Sequence, residues 1–160
     1  MIFDGNLLFD AASYNPANGL QGVNQFASGA TTTSTNVLDM LNARDMGQAK
    51  SGKAPLEIFV LITTAYTGGT SVNFQLQGST DNVTYTVYAE SGAIPVASLT
   101  VGAQVFNVML PGVQPEAGVL PRYYRMAYVN VGANTTGAVI SGLLSTDDNR
   151  YYRPGIVVSN

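Results

Sequence analysis

The chain contains no cysteine, no histidine and no tryptophan, and each absence removes a class of chemistry. Without Cys there is no disulfide framework and no thiolate nucleophile. Without His the commonest general base and metal ligand is missing. Charge is scarce too: Asp, Glu, Lys and Arg make up 11% of the residues, against about 25% in an ordinary soluble domain. The surface must therefore be dressed in Ser, Thr, Asn, Gln and Gly, and so weakly charged a surface resists association poorly. A net charge of −3 argues against a nucleic-acid partner, because phosphate binding needs an excess of Lys and Arg. No apolar run approaches the ~20 residues of a membrane span, and the N-terminus lacks the basic start and apolar run of a signal peptide. The expectation is a soluble protein made in a cytoplasm.

What is present is strand text. At 160 residues and 46% hydrophobic, the chain is long enough for one domain with a core of its own. From Pro55 to Glu90, Leu56, Ile58, Val60 and Ile62 share one face, and Val72, Phe74 and Leu76 alternate with Asn73, Gln75 and Gln77. Tyr85 and Val87 alternate with Thr84, Thr86 and Tyr88. Period-two alternation predicts strands with one wet face, joined by turns at Thr67–Thr70 and Ser79–Asn82. Further strands are expected at Gln104–Leu110, Arg122–Val131 and Thr136–Ser145, with turns at Gly132–Thr135 and Asp147–Asn149. In the second of these strands Tyr124, Met126 and Tyr128 face one way. The count is about eight strands without an amphipathic helix. Residues 34–160 thus read as one antiparallel β-sandwich of the jelly-roll kind. From Met1 to Thr33 no period holds, so residues 1–33 read as an extended N-terminal arm lying on something else.

Catalytic, cofactor and metal motifs are not found. Gly47–Ala54 matches all but the last position of the phosphate-binding pattern G-x-x-x-x-G-K-[ST], but Ala54 has no hydroxyl for Mg²⁺ and Pro55 opens a strand where a helix is required. Asp147, Asp148 and Asn149 lack the ligand spacing of a calcium loop. One pattern does repeat: Arg122-Tyr123-Tyr124-Arg125 and Arg150-Tyr151-Tyr152-Arg153 hold four of the five arginines. Arg and Tyr are over-represented at binding hot spots; the alternative is that each Arg lies across a neighbour's ring within its own sheet.

The ordered set of Met1-Ile2-Phe3-Asp4, Ser34–Asp39, Ala43–Gly47, Pro55-Leu56, Val72–Gln77 with Ser79-Thr80-Asp81, Arg122–Arg125 and Tyr151–Val158 resembles the capsid cement proteins of tailed phages of the Bordetella-phage type. The Asn15–Thr33 tract is longer than the resemblance leads one to expect. The resemblance implies a jelly-roll decoration protein, non-enzymatic, sitting as oligomers on the outside of the phage head and bound to the major capsid protein. Sheet edges with only two Lys to blunt them also favour a closed homo-oligomer, a dimer first and a trimer next. The expected contact residues are Ile2, Phe3, Leu7, Leu8 and Phe9 of the arm, with Arg122, Tyr123, Arg125, Arg150, Tyr151, Tyr152 and Arg153. A carbohydrate-binding or tail-associated adhesion module is the competing class, weakened by the lack of Trp.

Overall fold

The computed structural model describes residues 7–10, 13–17, 19–24, 29–41, 57–109 and 120–144. Among them the regular elements are strands, and the helical pieces are short 3-10 turns such as Val96–Ser98. In chain order the strands are β1 (Ser13–Asn15), β2 (Gly19–Gln21), β3 (Val23–Asn24), β4 (Thr31–Thr33), β5 (Leu38–Asp39), β6 (Glu57–Ser79), β7 (Thr86–Pro95), β8 (Gln104–Met109) and β9 (Tyr123–Leu144). β6 and β9 are about four times the usual strand length. They pair antiparallel along their whole course, from Glu57↔Leu144 to Ser79↔Tyr123.

This ribbon is folded in half. Tyr128 and Ser141 lie 13 residues apart on β9, yet their hydroxyls are 2.8 Å from each other. An extended strand at about 3.3 Å per residue would hold them ~43 Å apart. β9 therefore doubles back, and β6 follows it. The bend falls where the register shifts: between Thr67↔Thr136 and Gly69↔Gly132, β6 advances two residues while β9 advances four. Gly68 and Gly132 take φ of 86° and 87° there, a left-handed backbone that other residues adopt only with strain. The Thr67 hydroxyl braces the corner by bonding the hydroxyls of Thr135 and Thr136 at 2.8 and 2.7 Å. Thr67–Thr70 and Gly132–Thr135, expected as hairpin turns, are thus the two bulged strands of one bend. Gly supplies positive φ in a bulge as readily as in a turn.

Each half of the ribbon becomes the middle of a sheet. The second half of β6 pairs with β7, and the first half of β9 pairs with β4 and β5. The first half of β6 pairs with β8. The second half of β9 is flanked by β3 and by Leu8, which bridges Gly142. Count each half-strand as one, the pieces beside Gly142 and Val139 as strand 1, and β4 with β5 as strand 2. The two sheets then read 1-8-3-6 and 2-7-4-5. That interleaving of two four-stranded sheets is the jelly roll; the protein is an all-β antiparallel sandwich.

The expected arm is corrected in its described residues. Leu8–Asp10 and β3 supply the edge of one sheet and β4 supplies the edge of the other. The hairpin of β1 and β2 is inserted between the two edge pieces, which accounts for the unexpected length of this tract. Pieces of two or three residues are too short to display a period, so no strand signal is legible there.

The main core lies between the sheets. Ile58, Val60, Ile62, Phe106, Val139 and Leu143 from one sheet meet Val72, Phe74, Leu76, Tyr124, Met126 and Tyr128 from the other, with Phe9, Tyr66 and Leu99 filling the ends. Phe74 is met edge-on by Tyr128 at 5.8 Å and by Tyr66 at 6.5 Å, the geometry that ring quadrupoles favour. The shared faces expected at Ile58–Ile62, Val72–Leu76 and Tyr124–Tyr128 are therefore observed, turned inward together with Val139 and Leu143; Leu56 lies outside the described residues. In β7 a register shift opposite Leu76 and Gln77 turns Tyr88 toward the core beside Tyr124 and leaves Val87 exposed.

One polar group is set deep in this core. Asp10 is fully buried. Its carboxyl accepts bonds from the Tyr128 hydroxyl, from the Ser141 hydroxyl at 2.6 Å and from the Thr35 backbone N–H at 3.1 Å. Burial pushes the Tyr128 phenol up, which keeps it a donor at ordinary pH. Tyr128 and Ser141 belong to opposite sheets, so Asp10 ties the two sheets and the N-terminal segment together.

Candidate interaction surface

The sheet containing β7, the second half of β6, the first half of β9 and β5 presents a polar outer face. Alternation dictates it: with Val72, Phe74 and Leu76 turned inward, Asn73, Gln75 and Gln77 must point out. The side chains on this face form a chain of hydrogen bonds. Arg125 Nε donates to Gln77 Oε1 at 2.9 Å, Gln77 Nε2 to Gln75 Oε1 at 3.3 Å, and Gln75 Nε2 to Glu90 Oε2 at 3.1 Å. Asn73 Nδ2 reaches the same Glu90 oxygen at 2.9 Å. These two amide donors hold the Glu90 carboxyl below the usual carboxylate range.

At the end of this face, where β6 leaves the sheet, arginine and tyrosine collect. Arg122 grips Asp39 with both prongs, Nε to Oδ1 at 2.6 Å and Nη2 to Oδ2 at 2.7 Å. The guanidinium lowers the Asp39 pKa in return. Arg122 also lies 4.9 Å from the centre of the Tyr123 ring, and Arg125 lies 3.6 Å above the ring of Tyr85. Val87 sits across from Gln77 on β7, and Val37 and Leu41 flank β5; all three are exposed. Rings, guanidinium groups and exposed aliphatic side chains in one place are the composition of a protein–protein hot spot.

The turn beside this patch, Ser79–Thr84, is built as the sequence predicts. Asp81 Oδ1 accepts the N–H groups of Val83 and Thr84 at 2.9 and 2.8 Å, and Ser79 Oγ accepts that of Asn82 at 2.9 Å. Those N–H groups, with the Ser79 hydroxyl, pull the Asp81 pKa down to about 2. Asn82 takes φ of 60°, which Asn tolerates better than most residues.

The sequence-predicted contact residues divide three ways. Arg122, Tyr123 and Arg125 come together on the outer face, while Tyr124 between them turns into the core. Leu7, Leu8 and Phe9, expected to dock into a partner, instead pack within their own chain. Phe9 is in the main core, Leu7 packs against it, and Leu8 joins Phe59 and Ile140 in a second cluster. The physical reason is that Gly142 has no side chain, so Leu8 and Phe59, which both register against it, close over the gap. Ile2, Phe3, Arg150, Tyr151, Tyr152 and Arg153 lie outside the described residues, as do Gly47–Ala54 and Asp147–Asn149. Among the described residues no group of His, Cys, Asp or Glu could hold a metal ion.

A family model, Bbp16, matches residues 24–153. The chain belongs to the Bbp16 family. The family bears the name of a Bordetella phage protein, in agreement with the Bordetella-phage resemblance of the sequence. The matched span takes in both long strands and the whole Arg–Tyr patch; Leu8–Asp10 and the β1–β2 hairpin precede it. No curated protein matches the chain.

Sequence reasoning missed Asp39, Gln77, Tyr85 and Glu90 of this surface, as it did the exposed Val37, Leu41 and Val87. Asp39 and Arg122 are 83 positions apart and meet only because β5 registers against the start of β9. Nothing local marks such a pair. Gln77 is an outward position by alternation, and that parity is the one available signal.

Proposed function

We propose that this protein is a non-enzymatic capsid decoration protein, which binds the outside of a phage head and bridges major capsid protein subunits. Membership of the Bbp16 family over most of the chain is the observation that carries the reading. The jelly roll with its Arg–Tyr patch and weakly charged surface is the kind of molecule the role asks for. Tyr123, Arg125, Val87 and their neighbours take the place of Leu8 and Phe9 in the contact surface, because those two are already buried. The protein acts as a closed homo-oligomer, a dimer first and a trimer next. Several attachment points then slow its release well beyond what one contact allows. Its place is the outer surface of the virion, after synthesis in the host cytoplasm.

The competing reading, a carbohydrate-binding or adhesion module, has less support. A sugar stacks on an open aromatic face, whereas Tyr85 and Tyr123 each present a ring face to one of the chain's own arginines. The deciding experiment mixes the purified protein with heads lacking it and follows co-sedimentation and heat-induced rupture. Saturable binding that delays rupture is expected; failure to bind, or binding without protection, overturns the cement role.

A further inference from the structure

The two arginines of the patch are not equivalent, and the difference points to what the partner must carry. Arg125 lies on the outer side of β9, and Arg122 immediately precedes that strand. Arg122 is satisfied: Asp39 meets it with two nearly parallel bonds of 2.6 and 2.7 Å, the fork-to-fork pairing in which guanidinium and carboxylate bind most strongly. Arg125 is held but not neutralised. Its plane is fixed from one side by the Tyr85 ring at 3.6 Å and from its Nε by Gln77 Oε1 at 2.9 Å.

Those two contacts are themselves supported. Gln77 is steadied by Gln75, and Gln75 by Glu90, which also holds Asn73. The Tyr85 hydroxyl donates to Asn82 Oδ1 in the adjoining turn. Arg125 is thus a cation whose direction is set in advance, with its two terminal nitrogens left over for a ligand. No carboxyl group pairs with it among the described residues. A neutral amide acceptor such as Gln77 does not cancel the charge, and a pre-oriented guanidinium loses little freedom on binding. Around it lie Val87 and Tyr123, suited to apolar neighbours of the incoming group.

We propose that the capsid segment docking on this face presents a carboxylate to Arg125, flanked by apolar side chains that cover Val87 and Tyr123. The inference rests on the capsid-binding reading and names the chemistry of the partner at that surface. The Arg122–Asp39 pair shows, within the same sheet, the geometry the partner's carboxylate would reproduce. Locally the charge fits: among the described residues Arg125 is a cation with no carboxylate paired to it, and such a group in a weakly charged field selects an acidic group and turns away a basic one.

The test uses the full-length protein and purified heads lacking it, with wild type, Arg125→Gln, Arg125→Lys and Arg125→Glu compared. Circular dichroism and thermal melts first establish that each variant is folded, as expected for a half-exposed position. Arg125→Gln should weaken head binding by at least about ten-fold and flatten its dependence on salt. Arg125→Lys should recover only part of the loss, because an ammonium cannot make the two-pronged contact. Heads whose carboxyl groups have been capped with glycinamide should lose wild-type binding and should no longer distinguish it from Arg125→Gln. Selection for phage growth on Arg125→Glu should return Asp or Glu to Lys or Arg changes in the capsid protein. If wild type binds heads but Arg125→Gln binds equally well with the same salt dependence, the carboxylate inference is overturned and the capsid reading survives. If wild type does not bind heads at all, both fall.

Discussion

The two sheets of this jelly roll share a core and differ on their outer sides. One outer face carries Asn73, Gln75, Gln77, Glu90 and Arg125, bonded to one another and open to water. On the other, Phe59, Ile140 and Leu8 form an apolar cluster with Leu61 against it, at 2%, 1% and 7% exposure for the first three. Both faces belong to the same two strands: Gln75 and Phe59 are alternating outward positions of β6, Arg125 and Ile140 of β9. The bend separates them. Before it β6 is apolar on both sides, and after it β6 alternates, so one strand follows the fully buried pattern at one end and the half-wet pattern at the other. The buried outer face holds the N-terminal edge strand; the wet one is free to meet a partner. That division breaks if the outer side of the second sheet proves as tolerant of change as the first.

Phe59→Ala should remove about 3–5 kcal/mol of stability, the usual cost of emptying a buried aromatic site. Gln75→Ala, on the same strand beyond the bend, should change it by about 0.5 kcal/mol or less. Urea unfolding of the two variants side by side makes the comparison. A cost near zero for Phe59→Ala would mean that the outer apolar cluster is not part of the folded core.

Asp10 tests how firmly the N-terminal segment closes the buried side. Replacing it with Ala leaves the Thr35 N–H and the Tyr128 and Ser141 hydroxyls without their acceptor, at about 2–4 kcal/mol. Amide exchange at Phe9, whose N–H donates to the Ser141 carbonyl, and at Asn36, whose N–H donates to the Phe9 carbonyl, should quicken more than at the distant Asn73. Uniform quickening would argue against a local clasp.

How far these features could be read from the chain depends on the range of the signal. The inward faces at Ile58, Val60, Ile62, Val72, Phe74 and Leu76 were legible because alternation is a local consequence of the pleat. The bend was not: a run such as Thr67-Gly68-Gly69-Thr70 asks for positive φ without saying whether the chain reverses or continues. The N-terminal pieces failed for another reason, since Phe9 and Asp10 owe their burial to Tyr128 and Ser141 more than a hundred residues on. The repeated Arg-Tyr-Tyr-Arg showed that something gathered at residues 122–125. Which arginine would find Asp39 and which would find only a ring and an amide was decided by register, which the sequence does not state.

The bend itself offers a smaller effect. Gly132→Ala puts a side chain on a backbone with φ of 87° and brings its Cβ within 2.9 Å of the Thr70 nitrogen. The expected cost is about 1–2 kcal/mol, from strain at a positive-φ site. Because the bend separates the two faces, the same variant should also loosen their coupling, and a less steep urea transition for Gly132→Ala than for wild type would register it.

The smallest expected effect is one of acidity, and it is read on the wet sheet. Asp39, Asp81 and Glu90, all on or beside that sheet, have pKa values lowered by their partners: Arg122, the N–H groups of Val83 and Thr84, and the amides of Asn73 and Gln75. A carboxyl group whose folded pKa is depressed contributes stability that is present above its unfolded pKa and is lost as pH falls through the folded one. For Asp81 the window runs from the ordinary carboxylate value of 3.8 down to about 2. All three groups are exposed, so solvent screens the effect and it should be modest. Melting temperature should therefore decline gently between pH 4 and about pH 2, and Asp81→Asn should remove part of that decline while lowering the melting temperature slightly at neutral pH. Exchange rates in the β6–β7 turn should rise over the same interval while those at Phe59 and Ile140 do not. Equal acid response on both sheets would show that the carboxyl groups of the wet face are not what makes the two sheets differ.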